Sequence, residues 1–212
     1  MKTRILPSLM AKSQQELDAD LKKLKGIVKE LHIDVVDGKF APNKTFQFEF
    51  KLTNNFSYNA HLMVNEPQKW IKKHADKVQT IIFHPEVVDN PELIIKIIKT
   101  KHKKVGLALK PETRVKLVEK YLKQIDYLLI LTVHPGFYGA KFLSAPLQKI
   151  SKAKQINPKL KVIVDGGMNP KIIGKVVRAG ADLFVSGSYT TKAEHPLERI
   201  KTLEKEIKRI KK

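Results

Sequence analysis

Short runs of β-branched and aliphatic side chains recur about every 20 to 30 residues along this chain, each followed by a stretch carrying helix start and stop signals. Eight such runs are present, at residues 4–9, 31–36, 58–64, 78–83, 105–109, 127–133, 162–165 and 183–186. The punctuation between them is specific. Ser13 followed by Glu16 forms a capping box that opens an apolar series at Leu17, Leu21 and Leu24. Asn90 before Pro91 and Asn169 before Pro170 each place a cap residue ahead of a proline at the first helical position, and Gly180 suits a helix end. No Gly/Ser-rich linker, low-complexity block or repeated motif interrupts the series. Eight strands of parallel type joined by crossover helices close into a cylinder, the TIM (β/α)8 barrel, more readily than they remain an open doubly wound sheet. The expectation is one α/β barrel domain over residues 1–212, with its chemistry at the C-terminal strand ends.

The absence of cysteine narrows that chemistry. Disulfides, thiolate metal sites and cysteine nucleophiles are excluded, so a metal ion must be held by His, Asp or Glu. A chain of 212 residues buries a substantial core. No window approaches the apolar length of a membrane span, and residues 1–10 lack the apolar centre of a signal peptide, so a cytoplasmic location and no membrane partner are expected. The formal charge of +20 raises the question of a polyanionic partner. Only five of the 41 basic residues are arginine, and the lysines are scattered along the helical segments without interleaved aromatics. That pattern reads as solvated helix faces, and no specific nucleic-acid partner is expected.

His32 and Asp34 stand two apart in one strand, so both project from one face while Ile33 and Val35 project from the other. Alone, such a pair reads as a hydrogen-bonded polar couple. His61 adds a second imidazole in the next strand, and Asp165 ends the seventh run, where a carboxylate after an apolar stretch needs a positive partner. Two imidazoles and two carboxylates suit one divalent ion such as zinc, manganese, iron(II) or cobalt, and the ligand types alone do not choose among them. Glycine-bearing turns follow the last three runs: Gly136, Phe137, Tyr138 and Gly139, then Gly166 and Gly167, then Gly187 and Ser188. Each alone is a tight turn. Together, after the last strands of a barrel, they suit a phosphate cradle of backbone N–H groups.

At this point the motifs resemble those of the ribulose-phosphate 3-epimerases over essentially the whole chain. Pro7-Ser8, HIDVVDGKFAPN from His32 to Asn43, His61 to Val64, Phe83-His84-Pro85-Glu86, Val133 to Phe142, Val164 to Gly167 and Gly187-Ser188 fall in that family's order. The resemblance implies that His32, Asp34, His61 and Asp165 bind the metal and that Asp34 and Asp165 also transfer the proton. It further implies that Ser8 and His61 touch substrate, and that the three glycine turns hold its phosphate. Some positions depart from the family pattern. Val36 and Leu131 stand where methionine is usual, with Met63 retained. The phosphate loop, usually Gly-Phe-Gly-Gly-Gln, is here Gly136-Phe137-Tyr138-Gly139-Ala140 followed by Lys141, and Tyr138 adds bulk where backbone approach is wanted. Tyr189-Thr190-Thr191 and Asn59-Ala60 also differ.

The expected activity is therefore C3 epimerisation of D-ribulose 5-phosphate to D-xylulose 5-phosphate. A six-carbon ketose phosphate such as allulose 6-phosphate is the alternative substrate. A lyase on the same barrel would commonly bring a lysine into the chemistry, and only Lys110 stands at a strand end to serve. A non-catalytic phosphate- or polyanion-binding barrel is the remaining reading. The resemblance also implies a homo-oligomer, which nothing in the residue pattern specifies.

Overall fold

The computed structural model describes residues 4–211. Its nine strands are β1 (Ile5–Leu9), β2 (Glu30–Asp37), β3 (Lys44–Thr45), β4 (Ser57–Met63), β5 (Thr80–Phe83), β6 (Lys104–Leu109), β7 (Tyr127–Leu131), β8 (Lys161–Asp165) and β9 (Leu183–Ser186). Its α-helices are α1 (Gln14–Leu24), α2 (Pro67–His74), α3 (Pro91–Thr100), α4 (Gln148–Ile156), α5 (Pro170–Arg178) and α6 (Pro196–Lys211). Eight strands run parallel in the order β1-β9-β8-β7-β6-β5-β4-β2, and β1 pairs β2 through Ser8↔His32 and Leu9↔Ile33 to close the barrel. The expected fold class is the one observed.

Strand parity sorts the core. Leu31, Ile33 and Val35 of β2 join the large cluster between sheet and helices. The barrel interior is a separate apolar cluster of Leu6, Ile82, Ala108, Leu129, Leu131, Ile163 and Val185. His32, Asp34, Asn59 and His61 share the inward parity, so β2 and β4 line their side of the interior with polar groups. Helix starts follow the sequence signals. Ser13 accepts from the Glu16 N–H, Glu16 reaches back to the Lys12 N–H, and Asn169 accepts from the N–H groups of Lys171 and Ile172. Gly180 follows α5 at φ +97°, a conformation that strains other residues.

Two crossovers lack the expected α-helix. Between β2 and β4 the chain runs irregularly, and Phe46, Phe50 and Phe56 fill the core in a helix's place. Between β6 and β7 lie two single 3₁₀ turns, Val115–Leu117 and Glu119–Tyr121. The buried residues there, Val115, Val118, Tyr121, Leu122 and Ile125, keep the three- and four-residue spacing of a helix face, which the chain winds as 3₁₀ turns instead of an α-helix.

The strand N-termini are fastened by a recurring bracket. Gln79, Asp126 and Asp182, each just ahead of a strand, donate their backbone N–H to the carbonyls of Tyr58, Val105 and Val162. Their side chains accept from the N–H groups of the same three residues, at 2.7, 2.8 and 2.9 Å. Asp182 also takes Lys154 at 2.7 Å and Lys161 at 3.3 Å.

Two stability predictions follow from this packing. Burial pushes the Asp182 carboxyl upward, but Lys154, the Val162 N–H and Lys161 outweigh it and hold it below its ordinary 3.8. A carboxylate depressed on folding adds stability above its unfolded value and loses it as pH falls through the folded one. The urea-midpoint gap between wild type and Asp182→Asn is therefore wide at pH 7 and narrows below about pH 4. Inside the barrel, a Cβ at Gly106 would lie 2.7 Å from Ile82 Cγ1. Gly106→Val therefore costs about 1–3 kcal/mol by chemical denaturation, and adding Ile82→Ala restores part of the loss.

Candidate metal and anion site

Four inward side chains converge at the C-terminal mouth: His32 and Asp34 from β2, His61 from β4 and Asp165 at the end of β8. One ligand atom from each lies within 4.8 Å of all the others. Asp34 Oδ1 stands 3.4 Å from His32 Nε2 and 3.1 Å from His61 Nδ1, and Asp165 Oδ2 is 3.4 Å from the same His61 nitrogen. Ligands about 2.0–2.2 Å from a tetrahedral ion stand about 3.3–3.6 Å apart, so the spacing fits a single small cation. His32 supplies a second test. It is fully buried, and neither of its ring nitrogens makes a hydrogen bond, a costly state that a metal bond would relieve.

The electrostatics also call for a positive centre. Burial alone would raise Asp34, but His32 and His61 outweigh it and hold the carboxyl well below the usual carboxylate range. Burial pulls His61 down, yet its hydrogen bonds to Asp165 and Asp34 push it up to about 9. With no cation, a proton on His61 takes over the role of the positive charge between the two carboxylates.

Above this cluster, one cavity is lined by Ser8, Asp34, Asp165 and the three glycine turns, including Gly136, Phe137, Tyr138, Gly139, Gly166, Gly167, Gly187 and Ser188. Met10, Met63, Leu131 and Val133 form apolar wall. His32 and His61 lie beneath the floor, fully buried, while both carboxylates reach the cavity. Gly136, Gly139, Gly166 and Gly167 all have positive φ, which turns backbone N–H groups in directions that other residues rarely allow. Tyr138 does more than add bulk. Its hydroxyl donates to the Ser8 carbonyl at 2.8 Å, and its ring lies so close to Gly187 that a Cβ there would meet Tyr138 Cε1 at 2.1 Å. Phe137 is exposed. Lys110 points elsewhere, with Nζ 4.1 Å from the Phe40 ring centre, outside the cavity lining.

Two residues quoted from the sequence without a role, His84 and Glu86, prove to be attached to the site. His61 Nε2 is 2.9 Å from His84 Nε2, and His84 Nδ1 is 3.2 Å from Glu86 Oε2. The signal was present: Thr80, Ile82 and His84 share one parity along β5 and its extension, which aims the ring inward. Burial lowers His84 to about 4. Glu86 sits at about 2, because hydrogen bonds from His84, Thr113 and the Lys110 N–H overcome the upward push of burial.

Comparison with known proteins agrees with this arrangement. The sequence model of the ribulose-phosphate 3 epimerase family matches residues 4–191. The ribulose-phosphate 3-epimerase of Schizosaccharomyces pombe is 32% identical over 98% of this chain and 95% of its own length. That of Bacillus subtilis is 33% identical over 87% of this chain and 90% of its own. Among solved structures, 3-hexulose-6-phosphate synthase from Salmonella typhimurium superimposes with a TM-score of 0.68 at 14% identity, covering 97% of this chain and 99% of that one. Orotidine 5'-monophosphate decarboxylase from Sulfolobus solfataricus gives 0.66 at 14% identity over the full length of both. Those two likenesses show the barrel fold alone. With the family's model spanning the barrel from β1 through β9 and relatives of that name matched along nearly all their length, the chain belongs to the ribulose-phosphate 3-epimerase family, a family of isomerases.

Proposed function

We propose that this chain epimerises D-ribulose 5-phosphate and D-xylulose 5-phosphate at C3 by two-base proton transfer, acting as one barrel domain on a small sugar phosphate. The observation that carries the reading is the pair Asp34 and Asp165. They come from strands far apart in the sequence, both reach one cavity, and both bracket His61 Nδ1. Inversion needs two such groups, because a single base would return the proton to the face it left.

A divalent ion held by His32, Asp34, His61 and Asp165, with zinc the first choice for this ligand set, supplies Lewis-acid polarisation of the ketone and charge for the developing enediolate. The protein's own groups do the rest. One carboxylate removes the C3 proton, and the C–H electron pair becomes the C2=C3 π bond as the C2=O π pair moves onto the ketone oxygen. The other, entering the step protonated, delivers its proton to the opposite face of the planar intermediate. The methionines and aliphatic residues of the wall exclude water that would otherwise exchange with it. Ser8 lies at the cavity for the sugar's hydroxyls, and the N–H groups of the three glycine turns hold the phosphate.

Wild-type enzyme run in heavy water incorporates deuterium at C3 of the product, and a chelator abolishes turnover until a divalent ion is restored. Asp34→Asn and Asp165→Asn each lower kcat by about 10²–10⁴-fold. One of the two still exchanges the C3 proton of ribulose 5-phosphate with solvent without inverting it. Full activity in both variants would refute the two-base assignment, and comparison with allulose 6-phosphate separates the pentose from the hexose reading. Metal binding is checked independently by stability. Zinc at about a hundred times its Kd raises the unfolding free energy by about 2.7 kcal/mol, and His32→Ala loses that gain.

A further inference from the structure

We infer that Glu86 and His84 form a positioning relay that sets which ring nitrogen of His61 carries its proton, leaving Nδ1 bare toward the cation; the inference rests on reading the four-residue cluster as a metal centre. Each link follows from the one before. The backbone N–H of Lys110 can only donate, and it stands 2.9 Å from Glu86 Oε1. The other carboxylate oxygen, Oε2, lies 3.2 Å from His84 Nδ1, and an ionised carboxylate only accepts, so that nitrogen bears the hydrogen. A neutral His84 then has a bare Nε2. Only 2.9 Å away is His61 Nε2, which must therefore be the donor. With its proton on Nε2, a neutral His61 presents the Nδ1 lone pair between Asp34 Oδ1 and Asp165 Oδ2.

The surroundings give the relay its authority. His61 and His84 are both fully buried, so solvent does not arbitrate the tautomer. Phe40 packs on the His84 ring with centres 4.5 Å apart, which holds it in place. The spacing also serves charge. A metal-ligating imidazole commonly donates directly to a carboxylate, but this centre already has two carboxylates among its ligands. Interposing His84 orients His61 while keeping Glu86 one ring farther from the ion.

Glu86→Gln tests the relay because both ends of the carboxylate face donors, and an amide offers one oxygen only. With that oxygen kept on the Lys110 N–H, the amide NH₂ turns toward His84 Nδ1 and reverses every proton down to His61. His84→Leu removes the acceptor altogether, and His84→Gln returns one. Two readouts decide the matter. Ring ¹⁵N NMR of histidine-labelled wild-type protein is expected to show His84 protonated at Nδ1, with or without zinc, and His61 protonated at Nε2 in the zinc form. Zinc affinity by chelator competition is expected to fall about 10–100-fold in Glu86→Gln and His84→Leu, with partial recovery in His84→Gln. Wild-type His84 protonated at Nε2 instead would overturn the relay, as would folded Glu86→Gln and His84→Leu proteins that bind zinc like wild type. A wild-type protein that binds no zinc would remove the metal-centre reading, and the His84 tautomer of the metal-free protein would then still decide the relay.

Discussion

The structure depends on placing two carboxylates and two imidazoles inside an apolar cylinder. Moving a carboxylate out of water costs several kcal/mol even after relaxation, and two side by side repel each other. The cost is tolerable only if positive charge sits between them and the lone pairs are occupied. The barrel arranges this by keeping its apolar interior on the side of β5 to β9 and β1 and concentrating polar inward groups on β2 and β4. Asp165, at the end of β8, is the member that reaches the cluster from the far side, so only a closed barrel brings the fourth residue to the other three.

Closure creates a local problem, and the irregular segment after β2 meets it. β2 continues to Asp37, while its neighbour β1 ends at Leu9, opposite Ile33, so the last residues of β2 would face that side without a ladder. β3 fills the gap by pairing antiparallel, Val36 with Thr45 and Asp37 with Lys44. The Thr45 hydroxyl donates to the Asp34 carbonyl and accepts from the Val36 N–H, bracing the backbone on either side of Asp34's neighbour. Asp37, inside the same motif as His32 and Asp34, takes no part in the cluster. Its carboxylate accepts from the N–H groups of Lys39, Phe40 and Asn65 and so joins the loops above β2 and β4.

How much of this was legible follows from the range of each signal. His32 and Asp34 are two apart, so strand parity places them on one face without knowledge of the fold. Runs, caps and Gly180 are likewise local, and they located the eight barrel strands and the starts of α1, α3 and α5. Partnerships across the barrel are of another kind. That His84 meets His61 depends on the β4–β5 register, His61 opposite Ile82, which no single strand reveals. The brackets from Gln79, Asp126 and Asp182 need the same knowledge of which strand lies alongside. The two missing helices differ in kind: alternating phenylalanines after β2 fall outside the α-helical period, whereas Val115, Val118, Leu122 and Ile125 between β6 and β7 follow it, so the residue pattern there does not distinguish 3₁₀ turns from an α-helix.

Tyr138 shows why a departure from the family pattern need not empty the site. Read from sequence, a bulky ring replaces a glycine in a loop where backbone approach is wanted. In the structure the ring lies over Gly187, occupying the space that a Cβ there would need, and its hydroxyl is bonded to Ser8 on β1. Tyr138 and Gly187 are therefore coupled positions: any side chain at 187 expels the ring, and the ring at 138 requires glycine at 187. The neighbouring Gly136 and Gly139 have positive φ, backbone conformations that residues with a side chain rarely adopt. Tyr138 thus changes the wall between the first and last strands of the barrel while leaving the His32, Asp34, His61 and Asp165 cluster beneath it intact.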